Sequence, residues 1–135
     1  MKKERLHEKL EDYKRASKRL AEATELEIMN DIVYDGVIQR FEFTFELSWK
    51  LMKIFLEYTG IEEMRSPRAT IREAYTYGLI RDGDEWIDMM VDRNKTFHIY
   101  DEEEAKLIYV KIKRDYVGLL QKLIVNIEKE LEKLQ

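Results

Sequence analysis

The stretch DIVYDGVIQRFEFTFELSWKLMKIFLEYTG, residues 31–60, decides the fold. Placed on a helical wheel, Asp35, Gln39, Glu42, Glu46, Lys50, Lys53 and Glu57 share one narrow polar strip. Val33, Val37, Ile38, Phe41, Phe43, Phe45, Leu47, Trp49, Leu51, Met52, Ile54, Phe55 and Leu56 cover roughly two thirds of the circumference. An ordinary surface helix buries a far narrower stripe. This helix therefore sits at the centre of a bundle, touched by the others, or has part of its face covered by a second subunit, which predicts a homodimer, paired again into a larger oligomer. Gly60 supplies the residue type that tolerates the left-handed turn after a helix end. Arg40 interrupts the apolar side near Val33, Gly36 and Leu47, so its guanidinium must snorkel, find a carboxylate, or face a cleft.

Outward from this helix, the same periodicity recurs. Leu6, Leu10, Tyr13, Ser17 and Leu20 repeat at three- and four-residue steps and predict a helix over 3–24. Ser66-Pro67 reads as an N-cap and first-turn proline, opening a short helix that ends near Gly78. Asp82-Gly83-Asp84 reads as a turn and cap before a helix over 84–96 with Trp86, Ile87, Met90 and Phe97 on one side. Asp101, followed by Glu102, Glu103 and Glu104, places acids where the helix dipole favours them and starts a last, uninterrupted helix to about Leu134. With one proline, five glycines and no strand pattern, the expected fold is all-α. It is an up-and-down antiparallel four-helix bundle with one short extra helix, formed by a single domain over 1–135.

Composition narrows the chemistry. The 135 residues carry a formal charge of −4 and no cysteine, which leaves no disulfide, thiolate metal site or cysteine nucleophile. No apolar run approaches the roughly 20 residues of a membrane span. The amino terminus MKKERLHEKLEDYKR lacks the apolar core of a secretory signal, which predicts a cytoplasmic protein. Glu4-Arg5-Leu6-His7 matches half of a di-iron bundle motif, but the second half is missing, so neither a metal nor a cofactor is expected. Glu42 and Glu46 are one turn apart, beside Lys50 and Lys53, and read as a solvated face.

The segment from Asp92 to Asp101 stands apart. Arg93, Asn94, His98 and Tyr100 crowd into the junction between two helices, where side chains converge without competing for core space. Arg93 falls on the Trp86 and Met89 side of its helix, and Asn94 on the apolar face. Together they offer a fixed cation for phosphate, a group titrating near neutral pH and a phenol. A capping Asn, a His bonded to a carbonyl and a packed Tyr is the competing structural reading.

At these residues the chain resembles a known family. Arg93, four residues, His98, one residue and Tyr100 is similar to the signature of HEPN-superfamily proteins encoded beside minimal nucleotidyltransferases. Asp35 to Glu42, running on to Leu47-Ser48-Trp49-Lys50, resembles the second-helix motif of the nucleotidyltransferase substrate-binding family in that superfamily. Ser66-Pro67-Arg68, Arg72-Glu73-Ala74 and Arg93 to Tyr100 match its later blocks in the same order. The resemblance implies a homodimeric bundle that serves as the non-catalytic substrate-binding subunit of a separate minimal nucleotidyltransferase, with Arg40 and Asn94 as substrate contacts. It also implies an alternative, a metal-independent ribonuclease toxin acting on RNA. There Arg93 holds the scissile phosphate, His98 exchanges the proton, and the partner enzyme silences the activity by transferring adenylate to Tyr100. Between Asp82 and Glu104 nine acids face only Arg93 and Lys95, a balance that repels phosphate and suits docking of a basic partner protein. The binding subunit is accordingly the first expectation and the ribonuclease the second.

Overall fold

The computed structural model describes residues 2–99 and 101–134. Six helices follow one another: α1 (Lys2–Thr24), α2 (Ile32–Tyr58), α3 (Pro67–Tyr77), α4 (Gly83–Lys95), α5 (Glu102–Lys111) and α6 (Val117–Lys133), with a short 3-10 turn at Thr96–His98. Their ends carry the chemistry read from the sequence. Ser66 Oγ accepts from the Ala69 N–H at 3.1 Å and Asp101 Oδ1 from the Glu104 N–H at 2.9 Å, each capping a helix start. Gly60 and Gly78 close α2 and α3 at φ of +98° and +94°, where a Cβ is strained. Asp82 departs from expectation: its side chain caps nothing and lies 3.8 Å from Lys122 Nζ on α6.

Paired contacts set the directions. Thr44 and Arg40 on α2 reach back to the Ala16 and Arg19 carbonyls, so α1 and α2 are antiparallel. Glu42 with Thr96, and Glu46 with Arg93, make α2 and α4 antiparallel. Tyr34 against Tyr109 and Phe41 against Tyr116 run in the same order, so α2 and the last helix lie parallel across the bundle. This is the expected up-and-down arrangement, with α3 as the extra element between α2 and α4.

The wide apolar face of α2 finds its main explanation here. The helix packs against each of the other five, burying Val37, Ile38, Phe41, Phe45, Leu51, Met52, Phe55 and Leu56 within its own chain. What remains outside is narrow: Phe43 is 61% exposed and Leu47 is half-buried. Tyr13 ties α1 to α6 by donating from its hydroxyl to the Leu120 carbonyl at 2.7 Å, and burial pushes its phenol well above the usual range.

The last helix is not uninterrupted. Residues Ile112–Tyr116 form a π turn, in which the Val117 N–H reaches back to the Ile112 carbonyl. Neither proline nor glycine marks it. Its consequence is local: both Ile112 and Tyr116 point inward, and the Tyr116 ring stacks on Phe41 at 5.6 Å with its hydroxyl aimed at α4.

Candidate functional site

At Glu42 and Glu46 the polar strip of α2 is not a solvated face, although Asp35, Gln39 and Lys50 on the same strip are exposed. Glu42 and Glu46 are half-buried because the carboxyl end of α4 lies over them. Glu46 Oε2 accepts from Arg93 Nη2 at 3.0 Å and from the Trp49 indole at 3.1 Å, while its other oxygen lies 3.2 Å from Lys50 Nζ. Thr96 Oγ1 lies 2.8 Å from a Glu42 carboxylate oxygen and 2.6 Å from the Arg93 carbonyl, which share its one hydroxyl proton. One turn of α2 therefore grips the last turn of α4 through two carboxylates. The wheel showed that these residues share a face; only the fold shows what covers it.

Arg93 is the centre of this grip. Its guanidinium carbon sits 5.8 Å from the Phe45 ring centre and 5.1 Å from that of Phe97, so the cation lies between two aromatic faces. Its side chain is only 17% exposed, and its Nε is buried without a hydrogen-bond partner. Phe97, expected on the buried side of the helix, is instead 62% exposed and spends its packing on Arg93.

The other site residues scatter around this centre. His98 ends the 3-10 turn exposed and lines a shallow groove with Lys95, Ile99, Leu107 and Lys111, on the side that faces α5. Among the described residues no hydrogen bond or ion pair joins it to Arg93. Asn94 corrects the wheel: it is exposed and does not enter the apolar face. Arg40 takes neither a carboxylate nor full solvent. Its Nη1 donates to the Arg19 carbonyl at 2.8 Å, and it lines a separate groove between α1 and α2 with Arg15, Gly36, Phe43 and Leu47. Tyr100, the expected modification site, lies outside the described residues. Glu4 and His7 are exposed on α1, and among the described residues no group of three or more His, Cys, Asp or Glu is placed to hold a metal.

One residue of the junction escaped the sequence reading. Asp92 is 4% exposed, yet it is a carboxylate. It accepts a hydrogen bond from the Tyr116 hydroxyl and one from Lys111 Nζ at 3.2 Å. Burial, and then the Asp92 carboxylate, push the Tyr116 phenol far above its ordinary range. A buried charge is retained when it is bonded this fully, and here it ties α4 to the π turn through Tyr116 and to α5 through Lys111. Helix α4 is thus tied to α2 through Arg93 and to the last helix through Asp92. A signal existed in the Tyr116 spacing, but nothing along the chain marks its partner, 24 residues away.

Burial alone would raise the Glu46 carboxyl; the hydrogen bonds from Trp49 and Lys50 and the charges of Lys50 and Arg93 outweigh it and hold it below the usual range. A carboxylate with a depressed folded pKa adds stability above its unfolded pKa and loses it as the pH falls through the folded one. The stability gap between the wild type and Glu46→Gln should therefore be widest near neutral pH and close between about pH 5 and about pH 3. Urea unfolding across that range checks it, and a gap that does not change with pH would show that the carboxylate charge is not what holds Arg93.

The described residues form an all-α bundle with an anchored arginine at one helix junction and no strand. Residues 8–129 match the nucleotidyltransferase substrate binding protein like family. The chain belongs to that family. It is 38% identical over 89 residues to the Probable ribonuclease HepT of Haemophilus influenzae, a match spanning 63% of this chain and 61% of that relative. It superposes with a TM-score of 0.77 on a Haemophilus influenzae structure described as the fold of a substrate binding domain of a nucleotidyltransferase, at 29% identity over 88% of this chain and 98% of the other. The same fold, at 18% identity and a TM-score of 0.74, covers 92% of this chain and 96% of a Shewanella oneidensis HEPN toxin in complex with MNT antitoxin. No helix of the described residues is long and apolar enough to cross a membrane.

Proposed function

We propose that this chain, folded as one domain and working in the cytoplasm, is the non-catalytic substrate-binding and partner subunit of a two-component minimal nucleotidyltransferase system. The observation that carries this reading is the state of Arg93. Arg93 is 17% exposed, sits on Glu46 and is covered by Phe97, so in this state its guanidinium is engaged within the chain and is not presented to a phosphate. Family membership over residues 8–129 supports the same reading. Asn94, exposed beside Arg93, and Arg40, at the wall of the α1–α2 groove and so at the edge of the face that pairs in the dimer, are the proposed contacts for a nucleotide or for the nucleotidyl acceptor.

The homodimer belongs to this proposal, and pairs of dimers with it. Phe43 and Leu47 remain on the α1–α2 groove beside Asp12, Arg15, Arg19 and Arg40, a mixed-charge rim that can complement itself across a two-fold axis. Light scattering on a chain of 16.4 kDa should give twice that mass or a multiple of it at micromolar concentration, and Phe43→Glu should give the monomer. A monomeric wild type would remove the dimer.

The second reading is a metal-independent ribonuclease, favoured by the 38% identity to a relative named as one and by the exposure of His98. In it, Glu46 releases Arg93 to the phosphate, His98 moves the proton, and adenylate on Tyr100 blocks the reaction. Labelled single-stranded RNA separates the two. The subunit reading expects no cleavage by the wild type or by His98→Ala. Cleavage that falls on the order of 10²–10⁴-fold in His98→Ala would make the chain an enzyme.

A further inference from the structure

Between α1 and α2 the chain turns through residues 25–31, and what it shows to solvent there is unusual for a free surface. Leu26, Met29 and Ile32 are 59%, 76% and 73% exposed, and Ile28 lies between them at 39%. Large apolar side chains scattered singly over a surface need no explanation, but four within seven positions form a patch. The segment is fixed in place. The Glu25 and Leu26 N–H groups donate to the Glu22 and Ala23 carbonyls, Asn30 Oδ1 accepts from the Ile32 N–H at 3.0 Å, and the Thr24 carbonyl accepts from the Tyr109 hydroxyl. Nor is there room for these side chains inside, because Ala23, Thr24 and the edge-on pair of Tyr34 and Tyr109 already close this end of the bundle.

Along the chain the charge around the patch is one-sided, and Lys106, which reaches the neighbourhood of Tyr34 from α5, is paired with Glu102 and Glu103. From Leu20 to Gln39 the chain carries Glu22, Glu25, Glu27, Asp31 and Asp35 and not one Lys, Arg or His. None of the five acids makes an ion pair among the described residues. A second copy of this chain is a poor occupant, since an isologous contact would set five acids against five acids. The rim asks for a cationic partner, and the centre for one with an apolar socket.

We infer that Leu26, Ile28, Met29 and Ile32, with their acidic rim, are the surface on which the companion nucleotidyltransferase docks, through a basic face surrounding an apolar depression. The inference rests on the subunit reading above and adds the place of contact. It also separates the surfaces of the chain by charge: the mixed-charge α1–α2 groove takes a copy of itself, and the acidic end takes a different protein.

The test uses the full-length chain and the minimal nucleotidyltransferase encoded in the same genome, with binding kinetics recorded at low and moderate salt. Met29→Ser/Ile32→Ser should weaken the complex by about 30-fold or more, the scale of central apolar anchors, chiefly by faster dissociation. Glu25→Lys/Glu27→Lys/Asp31→Lys should slow association by about tenfold and flatten its salt dependence. All these residues are exposed, so melting and scattering mass should match the wild type; should the serine variant melt early, the lysine variant decides alone. Wild-type affinity and salt dependence in the lysine variant, with the wild type itself binding, would overturn the docking surface and leave the subunit reading standing. Conversion of the oligomer to monomer by the serine variant would assign the patch to a second copy and overturn it as well. Failure of the wild type to bind at all would remove the subunit reading and this inference together.

Discussion

Asp92→Ala is expected to lower the folding stability by about 2–4 kcal/mol, a large share of the total for a domain of this size. The carboxylate is 4% exposed and accepts from Tyr116 and Lys111. Removing it leaves the Tyr116 hydroxyl buried against a void, and an orphaned buried donor costs the whole of its desolvation. Asp92→Asn keeps an acceptor at the same place and should recover about half of the loss, while Tyr116→Phe, which removes the donor and leaves Asp92 its lysine, should cost about 1 kcal/mol. The Ala and Phe substitutions combined should cost less than their sum, because they break the same bond. Denaturant unfolding at neutral pH measures all four. An Ala variant within about 0.5 kcal/mol of the wild type would mean that Asp92 behaves as a surface residue and does not anchor α4.

That anchor matters because it fixes the position of Arg93, and it was among the least legible features of the chain. The helices were readable because their ends are written in local chemistry: Ser66 and Asp101 cap, Gly60 and Gly78 turn, and Pro67 sits where its missing N–H is harmless. The apolar excess of α2 was readable too, and its resolution as a central helix touching the other five was one of the two outcomes that the wheel allowed. The site was readable only in part. Glu42 and Glu46 looked solvated beside their lysines because a wheel shows which residues share a face and not which element lies over it. Periodicity placed Asn94 and Phe97 inward, but α4 ends at Lys95, one residue past Asn94, and the 3-10 turn beyond it takes Phe97 out of the helical register. Arg40 found a backbone carbonyl, a partner that every residue offers and no sequence advertises. The π turn at Ile112–Tyr116 has no composition of its own, and what stabilises it, Phe41 and Asp92, comes from two other helices.

The central claim is that this chain acts by binding a nucleotidyltransferase and what that enzyme works on. The most direct measurement is a titration of the wild-type chain with the minimal nucleotidyltransferase of the same genome, by calorimetry at low salt, with light scattering of the mixture. A stoichiometric complex with a dissociation constant of about 1 μM or tighter, weakening as salt is added, is the expected result. No heat and no complex with both proteins at about 10 μM or more would contradict it.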